Sequence, residues 1–249
     1  MEMKRRKFQG VLNILSFNRH FYVIGVASLT LLISLVLYFE LSTYYTVILV
    51  LGFTYGLLVP LIVSAYIYDY SGFYEFRWLD QFDFKDSKNN TIININAGFD
   101  ETSFIIKDKL PQSNLKVYDF YNPDRHTEPA IVRARKVSNI YPYTQRISSH
   151  SLPLKAHTVD YIFLISAIHE IRNNDERITF LKECGRVLKN EGRIIMVEHL
   201  RDLPNFLAFT VGFTHFFSSV KWRKSFKTAG FRNINEIKFT PFMSIFEVY

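Results

Sequence analysis

The chain has 249 residues, of which 48% are hydrophobic and 16% aromatic, and its formal net charge is +7. This length suffices for one domain of ordinary size with an additional segment, and the single cysteine, Cys184, excludes an intramolecular disulfide. Residues 69–249 hold twenty-five Lys or Arg and twenty-one Asp or Glu, interspersed and without a nucleic-acid-binding motif, so we expect no nucleic-acid partner.

Two long uncharged stretches lie near the start of the chain. Residues 21–39 contain nineteen residues without a charge and residues 44–68 contain twenty-five. At about 1.5 Å per residue, each is long enough as a helix to cross the hydrocarbon core of a bilayer. We interpret residues 21–68 as a transmembrane hairpin. The alternatives are a cleaved signal peptide, which would need a shorter apolar run and a cleavage pattern, and a buried hairpin of a soluble core.

The basic residues beside these stretches predict how the hairpin is oriented. Lys4, Arg5, Arg6, Lys7 and Arg19 precede it, the connecting loop has neither Lys nor Arg, and Arg77 and Lys85 follow it. The positive-inside rule therefore places residues 1–20, a basic N-terminal segment, and the domain after the hairpin in the cytoplasm. We expect an integral protein of a bacterial inner membrane, with membrane lipids as partners.

Strand and helix patterns alternate after the hairpin. Residues 69–90 begin with an aromatic stretch. It is interpreted as a linker helix that lies partly on the bilayer or across the mouth of the following domain, and the alternative is an ordinary core helix. Residues 91–249 predict an α/β domain with a Rossmann-like doubly wound sheet and a C-terminal antiparallel hairpin. Strands are predicted at residues 91–95, 115–120, 145–149, 159–165, 193–197, 233–239 and 244–248, and helices at 102–109, within 122–138, at 175–188 and at 205–230.

The turn after the first predicted strand has the character of a nucleotide site. Gly98 allows the backbone to approach a ligand, although Asn96 and Asp100 stand where a dinucleotide fingerprint would have its other glycines. Asp119, twenty-one residues after Gly98, ends the second strand and can accept hydrogen bonds from a ribose. The pattern indicates a ligand site at the ends of these two strands.

A set of motifs lies in the second half of the predicted domain. Residues 183–193 read ECGRVLKNEGR, after Leu152-Pro153 and the strand VDYIF. This run resembles the LPF…FDxV…ExxRVLKPGGR pattern of class I S-adenosylmethionine-dependent methyltransferases, especially the ubiquinone/menaquinone-biosynthesis type. Residues 94–102, NINAGFDET, are similar to the NLGAGFDTR variant of the leucine carboxyl methyltransferase group. The resemblance covers about residues 90–232 and implies S-adenosyl-L-methionine as the cofactor.

The resemblance also implies which residues bind that cofactor. Asn96, Ala97 and Gly98 would hold its methionyl part, Asp119 its ribose, and Ser148 and Ser149 would face the adenine. The chain departs from the family where Asn94 and Asn96 replace an acidic residue and a glycine, and where these serines replace an acidic adenine contact.

Histidines follow the fourth and fifth predicted strands, at the edge where ligands bind in such sheets. His169 and His199 are the candidate catalytic bases, with helix capping or polar packing as their alternative roles. Glu170, His215 and Phe216 are candidates for lining the acceptor pocket. The histidines are too scattered in sequence to indicate a metal site.

These features predict a membrane-anchored methyltransferase for a lipophilic small-molecule acceptor, such as a quinone, an aryl or polyene lipid, or a pigment precursor. O-methylation is favoured because candidate bases are present. The alternative is a catalytically degenerate methyltransferase fold with a binding or scaffold role, for which Asn96 in the cofactor turn is the main indication.

Overall fold

The computed structural model describes residues 5–82, 84, 89–138 and 140–249. Its centre is a seven-stranded sheet in the order β3-β2-β1-β4-β5-β7-β6. The strands are β1 Thr91–Asn96, β2 Asn114–Asp119, β3 Gln145–Arg146, β4 Val159–Ile165, β5 Leu188–His199, β6 Ile234–Thr240 and β7 Met243–Val248. The first five are parallel, and β7 lies antiparallel between β5 and β6. The doubly wound sheet with a C-terminal antiparallel hairpin is confirmed.

Eight α-helices surround or precede this sheet within the described residues. They are α1 Gln9–Phe17, α2 Arg19–Tyr38, α3 Thr43–Ala65, α4 Ser103–Lys109, α5 Pro129–Ala134, α6 Asn174–Val187, α7 Leu203–Phe209 and α8 Ser219–Ala229. On one face of the sheet, α6 and α8 bury side chains such as Phe180 and Trp222 in a common core. The sheet order reverses between β1 and β4, which is where ligands bind in open α/β sheets.

The other face of the sheet is covered by the chain that leaves the hairpin. The predicted linker helix is replaced here by a π-helix, Tyr66–Tyr70, and a 3₁₀ helix, Arg77–Gln81. Gly72 and Phe76 have φ values of +85° and +54°, and such left-handed residues interrupt a helix. Trp78 is fully buried and packs edge-on against Phe163 of β4, so this segment belongs to the core. Residues 83 and 85–88 of the predicted linker lie outside the described residues.

Helices α2 and α3 stand apart from the sheet. The helical spans Arg19–Tyr38 and Thr43–Tyr70 are long and apolar enough to cross a membrane, and only 6% and 0% of their most apolar windows are buried. They pack against each other: a Cβ at Gly25 of α2 would lie 2.8 Å from the Leu57 side chain of α3. The two helices are therefore not core helices of the described fold.

Besides the linker helix, three predicted elements differ from those observed. β3 has only two residues, and β5 begins at Leu188 because residues 189–192 bulge out between the pairs Val159–Leu188 and Tyr161–Arg193. The helix predicted at residues 205–230 is divided into α7, the 3₁₀ helix Thr210–His215 and α8. Thr210 has φ +51°, which ends α7, and residue 200 pairs with residue 217 to separate α8. Helix α1 was not expected.

Candidate active site

The turn between β1 and α4 is built by its polar side chains. Asn96 Oδ1 accepts a hydrogen bond from the Gly98 N–H at 2.7 Å and so closes the turn. Asp100 accepts from the N–H groups of Thr102 and Ser103, which otherwise have no partner at the start of a helix. Asn94 donates its amide to the hydroxyls of the same two residues. Asn94 Nδ2 and Asn96 Oδ1, from the two asparagines that depart from the family pattern, therefore have partners in this turn, whereas Asn96 Nδ2 is buried and has none among the described residues.

Gly98 faces Asp119 across a narrow space at the ends of β1 and β2. Gly98 has φ +82°, and a Cβ added there would lie 2.9 Å from Asp119 Oδ2 and 1.2 Å from Arg135 Nη1. Arg135 Nη1 donates to the Ala97 carbonyl and to Asp119 Oδ2, both at 2.9 Å, and its guanidinium stacks on Tyr121 at 4.0 Å. A cationic group thus fills a space lined by a carboxylate, a carbonyl and an aromatic ring. No motif in the sequence singles out Arg135.

Ser148 and Ser149 lie beyond the end of β3, beside the same space. They border a cavity of about 310 Å³ together with Tyr121, which stands beyond the end of β2. Ser149 Oγ donates to Glu176 Oε1 at 2.5 Å, and Arg125 pairs with the other oxygen of Glu176 at 3.0 Å. Burial opposes the ionisation of Glu176, but the Ser149 and Arg125 contacts outweigh it and lower its pKa. Glu176 thus places a carboxylate beside Ser149.

His169 follows β4 and is held between two carboxylates. Its Nδ1 is 2.8 Å from Glu198 Oε2, and its Nε2 is 3.5 Å from Glu170 Oε1. Burial alone would lower the pKa of His169, but the adjacent carboxylates of Glu198 and Glu170 raise it to about 10. His169 therefore carries a proton at neutral pH in this arrangement. Glu198 lies at the end of β5, directly before His199 in the chain.

His215 approaches His169 from the end of the 3₁₀ helix after α7. The two imidazoles meet edge to face with their centroids 4.9 Å apart, and His215 Nδ1 is 2.8 Å from Glu128 Oε2. Arg172 donates to the carbonyls of both histidines and so joins the two loops. The structure thus brings the candidates His169, Glu170 and His215 together and adds Glu128, for which the sequence held no signal.

His199 lies apart from this cluster, at the end of β5, where it contacts the π-helix Tyr66–Tyr70. Its Nδ1 donates to the Phe242 carbonyl at 3.0 Å, and its Nε2 is 2.8 Å from the Tyr68 hydroxyl. Phe216 stacks on its ring with a centroid distance of 4.7 Å. Burial lowers the pKa of His199 to about 4, so the ring is neutral and both nitrogens have partners. Its geometry matches the alternative role in polar packing.

Helix α1 covers the turn between β1 and α4 from the side of α2 and α3. Arg5, before its start, forms an ion pair with Glu101 at 2.5 Å, and Gln9 donates to the same carboxylate at 2.7 Å. At the other end of α1, Phe17 packs edge-on against Phe99 with centroids 5.3 Å apart. The turn that carries Gly98 is therefore connected to the hairpin by a single short helix.

Comparisons with known proteins agree with this architecture. Residues 114–196 match a family described as a methyltransferase domain. No curated protein matches the sequence. Human N-acetylserotonin methyltransferase, solved in complex with S-adenosylmethionine, is similar in structure at 13% identity and a TM-score of 0.51, over 77% of this chain and 54% of that enzyme.

A methyltransferase from Haloferax volcanii, solved with the methyltransferase activator Trm112, has 12% identity and a TM-score of 0.50 over 73% of this chain and 91% of its own. At these identities the similarity is one of fold. The present chain spans about half the length of the human enzyme. The matched domain contains β2, β4 and most of β5, which carry Asp119 and lead to His169 and Glu198.

The fold and the matched domain confirm the resemblance seen in the sequence and agree with its expected cofactor, S-adenosylmethionine. Residues 114–196 thus match a methyltransferase domain, and the sheet that contains them has the fold of S-adenosylmethionine-dependent methyltransferases.

Proposed function

We propose that this protein is a membrane-anchored methyltransferase that transfers a methyl group from S-adenosylmethionine to a hydroxyl group of a lipophilic small molecule. The observation that carries the proposal is the space between Gly98 and Asp119, which a single Cβ would fill and which already holds a cationic side chain. S-adenosylmethionine is itself a cation with an ammonium, a sulfonium and two ribose hydroxyls, so its chemistry fits that lining.

The residues at the ends of β1 and β2 would divide the binding of the cofactor. Asp119 would accept hydrogen bonds from the ribose hydroxyls, and the Ala97 carbonyl would face the methionyl ammonium. Ser148 and Ser149 would border the adenine in the cavity of about 310 Å³. Arg135 must leave Asp119 and Ala97 for this to happen, since its guanidinium lies where a Cβ of residue 98 would be.

The acceptor would lie at the ends of β4 and β5, where its hydroxyl can be aligned with the methyl group. Methyl transfer from a sulfonium is a displacement in which alignment of the reacting atoms supplies much of the catalysis. Glu170 Oε2 is buried and has no hydrogen-bond partner among the described residues, so it can accept a hydrogen bond from the acceptor hydroxyl. We therefore assign the orientation of the acceptor to Glu170 and His169, and only polar packing to His199.

The membrane side of the site is apolar. Helix α7 lies against α3, where the Tyr55 hydroxyl donates to the Leu207 carbonyl at 2.5 Å. Leu203, Phe206, Leu207 and Val211 are exposed on α7 and the following 3₁₀ helix, which ends at His215. This apolar surface extends from the hairpin to the histidine cluster, and an acceptor dissolved in the bilayer would meet it first.

A substrate search tests the proposed activity. Membranes containing the protein are incubated with S-adenosylmethionine, and their lipid extracts are compared by mass spectrometry with extracts from an Asp119→Ala strain. The proposal expects a lipophilic species heavier by one methylene unit only with the intact protein. Methylation confined to water-soluble compounds would contradict the lipophilic acceptor.

We also propose that both ends of the hairpin and the methyltransferase domain are cytoplasmic, in a bacterial inner membrane. The support is the basic residues that flank α2 and α3, although Arg5 is partly engaged by Glu101. Cysteine labelling can test this, because the native Cys184 is fully buried. A membrane-impermeant maleimide should label Leu41→Cys in intact cells and Thr228→Cys only after lysis. The reverse pattern would overturn this orientation.

A non-catalytic binding role is the second candidate, and one observation favours it. Arg135 already satisfies both Asp119 and the Ala97 carbonyl. If this pair were permanent, folded protein would bind neither S-adenosylmethionine nor S-adenosylhomocysteine.

A further inference from the structure

Three metal-ligating side chains converge beside the proposed acceptor position. One ligand atom from each of His169, Glu170 and His215 lies within 4.8 Å of the others. His169 and Glu170 come from the short 3₁₀ helix after β4, whereas His215 ends the 3₁₀ helix after α7. Arg172 donates to the carbonyls of both histidines, so the two segments are held in this arrangement.

Each of the two imidazoles is oriented by a carboxylate through the same ring nitrogen. Glu198 lies 2.8 Å from Nδ1 of His169, and Glu128 lies 2.8 Å from Nδ1 of His215. Metal-ligating histidines characteristically bind the ion through one nitrogen while the other donates to a carboxylate, which fixes the ring and raises its basicity. This arrangement directs the Nε2 atom of each ring away from its orienting carboxylate. The Nε2 of His169 lies 3.5 Å from Glu170 Oε1, and a bound ion would replace the proton between these two atoms.

Glu170 provides an independent indication. Its side chain is buried, with 6% relative exposure, and its Oε2 has no hydrogen-bond partner among the described residues. The same holds for Oε1 of Glu198, which is 1% exposed. A buried carboxylate oxygen without a partner loses its hydration and gains nothing in return, so such atoms are rare unless a cation or water binds them.

We propose that His169, Glu170 and His215 form a binding site for a divalent transition-metal ion, with Glu198 and Glu128 as the carboxylates that orient its histidines. Two imidazoles and one carboxylate are the ligand set of several catalytic Zn²⁺ and non-haem Fe²⁺ sites. Mg²⁺ and Ca²⁺ prefer oxygen ligands, so the nitrogen ligands select against them. With three protein ligands, the ion keeps open coordination positions.

The site lies where the proposed function places the acceptor hydroxyl. If that function holds, the ion would act as a Lewis acid on the acceptor oxygen and lower its pKa, which makes it a better nucleophile at neutral pH. This role rests on the proposed function, whereas metal binding itself does not. The two are therefore measured separately.

Equilibrium dialysis against Zn²⁺ tests the site directly. The full-length protein, purified without a histidine tag and stripped with a chelator, should bind one Zn²⁺ per chain, and excess Mg²⁺ should not displace it. Glu170→Gln and His215→Asn should lose this stoichiometric binding. Glu128→Gln, which removes an orienting carboxylate, should weaken it by about ten- to hundredfold.

His157→Asn is the matched control. His157 lies beyond the amino end of β4, where its ring contacts the Leu188 carbonyl, and its φ of +56° is one that asparagine tolerates. This variant should bind Zn²⁺ as the wild type does. Substitution by Co²⁺ should give a visible d–d spectrum that Glu170→Gln abolishes while the thermal melting of the apoprotein is retained.

Two results would overturn the proposal. One is the absence of stoichiometric Zn²⁺ binding by folded wild-type protein, and the other is binding that Glu170→Gln, His215→Asn and His157→Asn leave equally intact. Binding of S-adenosylhomocysteine, measured on the same preparations without metal, reports on the proposed function independently.

Discussion

The crevice at the carboxyl edge of the sheet has a proposed cofactor half, at the ends of β1 and β2, and a proposed acceptor half, at the ends of β4 and β5. The two halves are built in different ways. At the ends of β1 and β2, one continuous turn and one strand end place Gly98 and Asp119 opposite each other, and Arg135 neutralises the carboxylate. At the ends of β4 and β5, loops distant in sequence place His169 and His215 among three carboxylates, and some of the carboxylate oxygens are left without partners.

The difference indicates a division of labour. In the cofactor half, Arg135 occupies the space beside Asp119, and the unpartnered buried atoms, Asn96 Nδ2 and Asp100 Oδ2, belong to the turn itself. In the acceptor half, no side chain among the described residues donates to the unpartnered oxygens of Glu170 and Glu198, which lie beside the histidines. Substitutions in the first half should therefore change cofactor affinity. Substitutions in the second half should change turnover or metal binding and leave cofactor affinity unchanged.

Glu170→Gln should have the largest effect: it should reduce turnover and leave cofactor affinity unchanged. Loss of a positioned group that interacts with the reacting hydroxyl reduces turnover by about 10²-fold or more, while the dissociation constant of S-adenosylhomocysteine should stay within about twofold. Steady-state kinetics with the identified acceptor and calorimetric titration measure the two quantities. Glu191→Gln, an exposed substitution in the β5 bulge, serves as the control. Equal losses in both measurements would contradict the separation.

His199 should contribute to stability rather than to turnover. Because its pKa falls to about 4 on folding, the neutral ring stabilises the folded state above the unfolded pKa of about 6.5, and this contribution is lost as the pH falls from about 6.5 towards 4. The loss amounts to about 3 kcal/mol. Thermal melting of detergent-solubilised protein between pH 7 and pH 4 should show this dependence.

In His199→Gln the pH-dependent loss should be smaller, because no imidazole needs to be protonated on unfolding. Acceptor turnover per folded molecule should be unchanged at neutral pH. A variant that melts like the wild type at every pH but has lost its turnover would return His199 to the role of catalytic base.

Sequence patterns predicted most of the fold and the residues of the proposed cofactor half. Buried parallel strands are continuous apolar runs, and the spacing of Gly98 and Asp119 depends on one βαβ unit, so both can be read locally. The acceptor half depends on long-range packing: Glu128 and His215 meet only after α5 and the segment before α8 have docked. No periodicity encodes such pairs.

Long-range packing also explains why the sequence did not predict the contacts of Arg135 or the presence of α1. Arg135 lies in a basic cluster that reads as solvated surface, and its partners Ala97 and Asp119 belong to other elements. The basic residues before α1 fit the positive-inside rule, so their sequence does not indicate a contact with the turn. In the structure, Arg5 forms an ion pair with Glu101. The roles assigned to the site residues from the sequence stay predictions until binding and turnover are measured.

The smallest effect is expected for Arg135→Ala. The side chains of Arg135 and Asp119 are 19% and 9% exposed. Because the guanidinium competes with the cofactor, S-adenosylhomocysteine should bind about fivefold more tightly, which corresponds to about 1 kcal/mol. Lys136→Ala, at a neighbouring position, should leave the affinity unchanged. Weaker binding by Arg135→Ala would mean that Arg135 contacts the cofactor instead of competing with it.

The central claim is that the space beside Gly98 binds S-adenosylmethionine, and calorimetric titration with S-adenosylhomocysteine tests it directly. Gly98→Ala and Gly230→Ala form a matched pair, since both glycines have positive φ values, +82° and +107°, but a Cβ at Gly230 meets no atom within 4 Å. The account predicts one-site binding by wild type and Gly230→Ala and at least a tenfold loss in Gly98→Ala. Absence of binding by folded wild-type protein, or equal affinity in the two variants, would contradict it.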